Sequence, residues 1–296
     1  MDILVIVGQA PATEMEIQFD RALNRIDPDD ILFTTNSYDT SAVEAAVSIR
    51  EHDKTGKITL ISIGPPQAAS IIREYLSLGG DNAVHIVESH LENYDTFKLA
   101  AVLAQVTRNI IYDLILCGGE SVDASGMTGL PGPYIAEMLG IPHVSDVTKI
   151  MRESGRQGLI VHRKLEKGDR QVLGCPLPCL LTVEAGDCEP PYPSLPDSLA
   201  ALKKEIRTID ISSPEFENVV QSVPLVSTVS FSPPVRRVKK GLVIDTKLTA
   251  AERLKMVMSG GLAAKSSKQT MLTGEPEKLA ADIVSVLVSQ GIIKKA

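Results

Sequence analysis

Short apolar segments alternate with helical patterns over residues 1 to about 190, and this alternation constrains the fold more than any other feature. The predicted strands are continuous apolar runs: Ile3–Val7, Lys57–Gly64, Ala83–Val87 and Asp113–Gly118. The predicted helices carry apolar residues three or four positions apart: Thr40–Glu51, Gln67–Leu78 and Asp95–Asn109. Strands that are apolar on both faces belong in a parallel sheet covered by helices on each side. The sequence therefore predicts an α/β fold with a parallel-sheet, Rossmann-like domain.

The pattern changes after Pro142. Closely spaced strand-like segments follow and predict an antiparallel extension: Val144–Met151, Gly158–Lys164, Arg170–Gly174 and Pro178–Ala185. Gly186–Pro196 then contains four prolines, which lack the backbone N–H of a sheet strand, so an extended loop is predicted there.

The remainder of the chain has fewer periodic signals. Pro214–Lys240 is predicted to be a linker or an arm, and Ser259–Thr273 a loose segment rich in Gly, Ser and Lys. Leu248–Met258 and Glu275–Gln290 have the spacing of helices. We place a boundary after residue 205, so that residues 1–205 form the nucleotide-binding α/β domain and residues 206–296 form a linker and a C-terminal helical arm.

Charge and composition exclude several classes of function. A formal net charge of −7 argues against a general nucleic-acid binder. No apolar run reaches about 20 residues, so no membrane insertion is expected, and the start of the chain lacks the basic residues of a secretory leader, which favours a cytoplasmic location. Cys175 and Cys179 do not have the spacing of a CxxC motif, and Cys117 lies in an apolar strand. No metal site is predicted.

The segment from Leu116 to Pro142 is the most informative about function. An apolar strand ends at Gly118-Gly119, a loop of small residues follows, and a helix is predicted from Pro131 to Leu139. Because few side chains shield this loop, its backbone N–H groups can approach a phosphate, and the helix N-terminus adds its dipole. We therefore predict a nucleotide or anion site at the carboxyl end of the strand. A flexible surface loop is the alternative.

Three further loops are expected at the same edge, because right-handed crossovers gather the ends of parallel strands there. Gly8–Pro11 follows the first strand, Gly64–Gln67 follows the second, and Asn36–Asp39 precedes the first helix. Helix capping by Ser37 or Asp39 would by itself explain Asn36–Asp39. Four loops that converge on one edge favour a binding site.

Five segments occur in an order that is specific to one protein family. They are Asn36–Asp39 with the helix after it, Ser62–Ala68 (SIGPPQA), Leu76–Ile86, Val161–Thr182 and Glu189–Pro196 (EPPYPSLP). In this order they resemble the β subunits of electron transfer flavoproteins, which carry N-P-[FY]-[DCE], S-x-G-P-x-Q-A, A-x-G-A-D-x-A-x-H, a longer signature and E-P-R-Y-x-[TS]-L-P. The longer signature is matched at Arg163, Glu166, Gly168, Gln171, Leu173, Pro178 and Thr182. The resemblance covers residues 1 to about 205.

The resemblance implies a domain of the adenine-nucleotide α-hydrolase-like type and the role of an electron carrier, not an enzyme. Such a β subunit pairs with an α subunit. The heterodimer carries electrons from a flavin-dependent acyl-CoA or similar dehydrogenase to a quinone reductase or a ferredoxin-type acceptor. The redox FAD lies mostly on the α subunit, and the β subunit holds a second nucleotide, AMP in one type and FAD in the electron-bifurcating type. The last predicted helix is expected to pack on the α subunit, because its apolar stripe otherwise lacks a partner.

The resemblance also assigns candidate residues. It places the adenine and ribose against Ile6, Asn36–Asp39 and Ile63, and the phosphates against Asp123–Pro131. The candidate cofactor-binding residues are Ile6, Gly8, Asn36, Ser37, Tyr38, Asp39, Ile63, Gly64, Gly119, Asp123, Ala124, Ser125, Gly126, Met127, Thr128, Gly129, Leu130, Pro131 and Gly132. Leu195 matches the apolar anchor that the family inserts into its dehydrogenase partner; a leucine packed on its own domain is the alternative. No catalytic residue is implied.

The chain departs from the family pattern near the nucleotide loop. Gly8 stands where the family usually has lysine, and Asp123–Ser125 replaces an acid-rich triplet. The Gly132-Pro133 pair resembles the bifurcating branch, so we favour FAD over AMP on this chain. The alternative function is an adenine-nucleotide-binding or adenylating α/β protein without flavin redox chemistry. Such a protein needs a cation near the pyrophosphate, and no Lys or Arg lies between Cys117 and His143.

Overall fold

The structure, a computed structural model, describes residues 1–12, 19–20, 25–26, 31–91, 94–120, 131–152, 158–185, 192–213, 216–222, 224–226, 249 and 276–289. The chain forms two compact units, Met1–Pro233 and Pro234–Ala296. Three predicted features lie outside the described residues: the loop at residues 121–130, the helix Leu248–Met258 apart from Thr249, and the segment Ser259–Thr273.

The strands and helices have the following bounds. The strands are β1 (Ile3–Ile6), β2 (Gln9–Pro11), β3 (Phe19–Asp20), β4 (Arg25–Ile26), β5 (Phe33–Thr35), β6 (Ile58–Gly64), β7 (Asn82–Val87), β8 (Leu114–Gly118), β9 (His143–Met151), β10 (Leu159–Lys164), β11 (Arg170–Cys175), β12 (Cys179–Val183) and β13 (Ile206–Asp210). The α-helices are α1 (Ser37–Asp53), α2 (Ala69–Ser77), α3 (Thr96–Thr107), α4 (Pro131–Leu139), α5 (Leu195–Lys203), α6 (Glu217–Val220) and α7 (Pro276–Ser289). Among the described residues, no helix is long and apolar enough to cross a membrane.

One large sheet forms the centre of the first unit. Its nine strands have the order β11-β10-β9-β12-β8-β1-β6-β7-β13. Neighbours are parallel from β9 to β13 along this order, whereas β10 is antiparallel to both β9 and β11. β1 lies inside the sheet, where Ile3 is in register with Ile58 of β6 and with Leu114 of β8.

Helices cover both faces of the sheet, because successive residues of a strand lie on opposite faces. Ile3 and Val5 of β1 belong to the core that includes α1 and α2. Leu4 and Ile6 belong to the core that includes α3 and α4. The strands are therefore apolar on both faces because helices pack against both. The predicted α/β architecture is confirmed.

The predicted antiparallel extension is correct only for β10 and its two neighbours. β12 lies inside the main sheet, between β8 and β9, and is parallel to both. All five of its residues are buried, as expected for a strand that is covered on both faces. Close spacing in the sequence does not reveal this position, because β12 pairs with strands that are distant along the chain.

Several segments outside the predicted elements have regular structure, among them the short strands β2, β3, β4 and β5. Ile206–Asp210, for which no strand is predicted, is the edge strand β13 beside β7. α6 lies within Pro214–Lys240, the predicted linker. α5 begins at Leu195, inside the predicted loop, because Ser194 caps the helix and Pro196 fits its first turn.

Candidate functional site

The order of the strands reverses between β1 and β8. The chain passes from β1 through α1, β6 and α2 to β7 on one side, and then returns through α3 to β8 on the other side of β1. Open α/β sheets bind ligands in the crevice that such a reversal leaves at the carboxyl ends of the strands. Gly8 follows β1 and Gly118 ends β8, so both lie at this crevice.

Asp39, in the first turn of α1, bridges the two strand ends. Its Oδ2 accepts a hydrogen bond from the amide of Gly8 at 2.9 Å, and its Oδ1 accepts one from the amide of Gly118 at 3.1 Å. The residue is only 8% exposed, so these charge-assisted bonds lie in a largely dry site. Asp39 thus joins α1 to both strands.

Asn36 is the N-cap of α1, and the prediction of Ser37 or Asp39 as the cap is wrong. The backbone of Asn36 is extended, and its Oδ1 accepts from the amide of Tyr38 at 3.4 Å, whereas Ser37 is already helical. Capping explains only part of the motif, because the Asn36 Nδ2 donates to the carbonyl of Glu120 at 2.8 Å. The Tyr38 hydroxyl also donates to Glu120, at Oε2 (3.1 Å). Burial raises the pKa of Tyr38, and the hydrogen bond to Glu120 and its negative charge raise it further.

Tyr75 of α2 belongs to the same group of residues, although its spacing in the sequence indicates only the apolar side of a predicted helix. Its side chain is fully buried. The hydroxyl accepts from the amide of Asn36 at 2.7 Å and donates to the carbonyl of Gly8 at 2.9 Å. A tyrosine on an otherwise aliphatic helix face needs a hydrogen-bond partner for its hydroxyl. The tyrosine itself is therefore the sequence signal for a polar contact at this position.

α4 begins against the ends of β8 and β12. A Cβ at Gly132 would lie 2.7 Å from Cγ2 of Thr182 and 2.9 Å from Sγ of Cys117, so only glycine permits this approach. Pro131 stands at the first helical position, where a missing N–H is tolerated. The N-terminus of α4 therefore lies beside the crevice, where its N–H groups and dipole favour an anion.

The end of β6 contributes two predicted residues that have other partners. Ile63 is buried with Ile6 in the core that includes α3 and α4. The carbonyl of Gly64 accepts from the amide of Glu88 at 2.9 Å and lies 3.2 Å from Nε2 of His85. Burial lowers the pKa of His85. β7 thus holds this end of β6.

The predicted cofactor-binding residues fall into distinct groups. Gly8, Asn36, Tyr38 and Asp39 form one hydrogen-bonded unit with the end of β8. Gly119 lies next to that unit and donates its amide to the carbonyl of Val183 at 2.8 Å. Ser37 is exposed and borders a separate groove of about 680 Å³ between α1, α2 and α5. Residues 123–130 lie outside the described residues, and so do any phosphate contacts they make.

Two cations near the same edge come from β10, not from the loop between Cys117 and His143. Lys164 forms an ion pair with Glu184, and Nη2 of Arg163 donates to Oγ of Ser145 at 2.9 Å. The sequence of the loop does not reveal these residues, because they come from β10, which is separated from β12 by β9 in the sheet.

The remaining predictions concern cysteines and metals. Cys117, Cys175 and Cys179 are buried and form no disulfide, and burial raises the pKa of the Cys117 thiol. The predicted position of Cys117 in an apolar strand is confirmed. Within the described ranges, no group of three or more His, Cys, Asp or Glu side chains could hold a metal ion.

Leu195 lies on the surface, in the first turn of α5. Its side chain is 73% exposed. The helix itself is held in place, because Nη1 of Arg73 in α2 donates to the carbonyls of Ala201 at 2.9 Å and Leu202 at 3.0 Å. A firmly held helix thus presents an exposed leucine.

Comparison with known proteins adds the following. A family model described as an electron transfer flavoprotein domain matches residues 29–214. Electron transfer flavoprotein subunit beta of Thermoanaerobacterium thermosaccharolyticum is 35% identical, over 71% of this chain and 78% of the relative. The subunit of the same name from Megasphaera elsdenii is 31% identical, over 83% and 92%. The caffeyl-CoA reductase-Etf complex subunit CarD of Acetobacterium woodii is 33% identical, over 80% and 89%.

Proposed function

The chain belongs to the electron transfer flavoprotein family as a β subunit, and we propose that it binds an adenine nucleotide in the crevice between β1 and β8. It pairs with an α subunit that carries FAD. The heterodimer shuttles electrons from a flavin-dependent acyl-CoA or similar dehydrogenase to a quinone reductase or a ferredoxin-type acceptor. The chain is then a carrier subunit and not an enzyme, and family membership sets aside the alternative of an adenylating protein.

One observation carries the choice of site. Asn36 and Asp39 join the ends of β1 and β8 and the start of α1 at the reversal of strand order. Ligand sites of open α/β sheets lie at such reversals. The same residues belong to the motifs that resemble the family.

The hydrogen bonds of Asp39 limit where the phosphates can lie. The amides of Gly8 and Gly118 already donate to its carboxylate, so they are not offered to an anion. The phosphates therefore need the residues 123–130 and the N-terminus of α4, while Ile6, Asn36–Asp39 and Ile63 hold the adenine and ribose. Bound FAD would supply the redox chemistry, and the residues of this chain would bind it, orient it and exclude water.

We favour FAD over AMP as the nucleotide on this chain. Among the described residues, a Cβ at Gly8 would meet Oδ2 of Asp39 alone, at 3.7 Å, which is an ordinary contact. Glycine at this position thus leaves space beyond β1, which a larger ligand requires. With a second flavin here, the complex becomes a candidate for electron bifurcation. One relative is named as a subunit of a caffeyl-CoA reductase-Etf complex, which favours a partner that acts on a CoA thioester.

The partner surfaces are proposed separately. Leu195 is the anchor for the dehydrogenase, because it is apolar, exposed and on a firmly held helix. α7 contacts the α subunit, because Ile283, Val284 and Val286 are exposed on it. Deletion of residues 275–296 is expected to weaken the heterodimer in sedimentation measurements; unchanged association would refute that assignment.

The decisive experiment is co-expression with a matching α subunit, followed by denaturing extraction and quantification of the released nucleotides. Two FAD and no AMP per heterodimer would support a second flavin on this chain. One FAD and one AMP would support a single-flavin shuttle with a structural nucleotide. A folded heterodimer that contains neither would overturn the proposed function.

A further inference from the structure

We propose that Tyr75 is a positioning residue for the nucleotide site, whose hydroxyl shapes the crevice between β1 and β8 before any nucleotide binds. The inference rests on the proposed function, because it takes this crevice as the nucleotide site. It adds a residue of α2 to a site that otherwise consists of strand ends and the start of α1.

The hydroxyl of Tyr75 joins the two places where the chain leaves and re-enters the site. It donates to the carbonyl of Gly8, directly after β1, and accepts from the amide of Asn36, directly before α1. Between these places the chain forms the β2–β5 pair, in which Gln9 is opposite Thr35. The hydroxyl thus sets the separation of Gly8 and Asn36 at the open end of this pair.

Two other side chains connect these contacts to the end of β8 and the residues after it. Asn36 continues to the carbonyl of Glu120 through its Nδ2, and Asp39 binds the amides of both Gly8 and Gly118. A shift of Gly8 or Asn36 therefore moves the acceptors and donors on which Glu120 and Gly118 depend. Buried hydrogen-bond networks of this kind are rigid only when every member is satisfied.

The direction of each bond is fixed by chemistry. The amide of Asn36 can only donate, so the hydroxyl of Tyr75 accepts from it and turns its own proton to a carbonyl. The carbonyl of Gly8 lies at 2.9 Å and that of Asn36 at 3.5 Å, so Gly8 is the nearer acceptor. Burial raises the pKa of Tyr75 well above its usual range, and the negative charge of Asp39 adds to this effect. The hydroxyl therefore stays protonated and keeps both roles at neutral pH.

The test uses Tyr75→Phe in the complex with the α subunit. Its matched control is Tyr94→Phe, which also removes a hydroxyl bond, from Tyr94 to Oε2 of Glu88 at 2.9 Å, in the core on the other face of the sheet. We expect the dissociation constant of the second nucleotide to rise about tenfold in Tyr75→Phe and to stay unchanged in Tyr94→Phe. The FAD of the α subunit is expected to bind equally in both.

The readouts separate positioning from a general loss of stability. A purely structural role would lower the melting temperature of Tyr75→Phe and leave the dissociation constant of the folded complex unchanged, which would overturn the inference. A wild-type complex that lacks a second nucleotide would instead overturn the proposed function, and this inference with it.

A second measurement does not depend on the folding of the variant. Hydrogen exchange is followed at the Asn36 amide in the wild-type complex after the nucleotide has been removed. Strong protection is expected, because the bond to Tyr75 is internal to the chain. Exchange at the rate of an exposed loop amide would overturn the inference.

Discussion

Gly118 and Asp39 are so closely packed that no side chain fits between them. The Gly118 amide donates to Oδ1 of Asp39 at 3.1 Å. A Cβ built on Gly118 would lie 2.8 Å from Cβ of Tyr38 and 2.9 Å from the backbone nitrogen of Asp39. The first turn of α1 therefore rests directly on the end of β8, and the width of the crevice depends on this contact.

Gly118→Ala should destabilise the protein and weaken nucleotide binding. The added Cβ must displace the backbone of α1, and overpacking of this kind costs about 1–3 kcal/mol. Gly174→Ala is the matched control, because a Cβ there has no neighbour within 4 Å in the part of the chain that the structure describes. Chemical denaturation and nucleotide content measure the two effects, and equal behaviour of the two variants would contradict this account of the contact.

Asp39→Ala should leave the amides of Gly8 and Gly118 without their acceptor. We expect a loss of about 2–4 kcal/mol in the free energy of unfolding, because two bonds to a charged acceptor disappear from a largely buried site. Added formate should restore part of the stability by replacing the carboxylate. The absence of rescue by formate, with chloride at equal ionic strength as the reference, would argue against an anion-shaped gap.

The control for that variant is Asp81→Ala. Asp81 also accepts from a backbone amide, that of Ile58 at 2.8 Å, and pairs with Arg50 at 2.9 Å, but Ile58 is at the amino end of β6. The control should lose stability and keep its nucleotide. If both aspartate variants lose the nucleotide equally, the effect of Asp39 is not local.

Leu195→Ala should slow reduction by the dehydrogenase and leave the melting temperature unchanged. The side chain is 73% exposed, so its removal opens no cavity in this chain. Loss of a buried leucine at a protein interface corresponds to about 1.5–3 kcal/mol, or a fall in kcat/KM of about tenfold or more. Ile111→Ala is the control, because Ile111 is 87% exposed elsewhere on the surface. Similar rates in both variants would remove Leu195 from the interface.

His85→Gln should make the free energy of unfolding less dependent on pH in the acidic range. Burial lowers the folded-state pKa of His85 below its usual value, so the unfolded chain binds more protons as the pH falls. The stabilisation from the neutral ring is complete above the unfolded pKa of about 6.5 and declines as the pH falls below it. Some decline should persist in the variant, because burial and Arg163 also lower the pKa of His143.

The measurement for this prediction is urea unfolding at several pH values between about 5 and 8. Glutamine can still donate to the carbonyl of Gly64, so stability at neutral pH should change little. Parallel pH profiles of the wild type and the variant would show that His85 does not titrate with unfolding.

Elements whose signal is local could be predicted from the amino-acid sequence alone. The alternation of apolar strands and amphipathic helices predicted β1, β6, β7 and β8 with the helices between them, because burial on both faces leaves a continuous apolar run. The helix predicted from about Pro131 to Leu139 is present as α4, and proline at its start and glycine after its end are consistent with these boundaries. The grouping of Gly8 with Asn36–Asp39 also followed, because parallel strands end at one edge.

The contacts that join distant segments become apparent only in the folded chain. β12 pairs with β8 and β9, and β13 with β7, through hydrogen bonds between segments far apart in the chain, and no local pattern encodes a partner strand. For the same reason, the sequence marked Tyr75 as a core residue and Asp39 as a helix cap. Their polar atoms acquire partners only when packing brings α2, α1, β1 and β8 together, because a buried hydroxyl or carboxylate is stabilised by whatever donors and acceptors the fold places beside it.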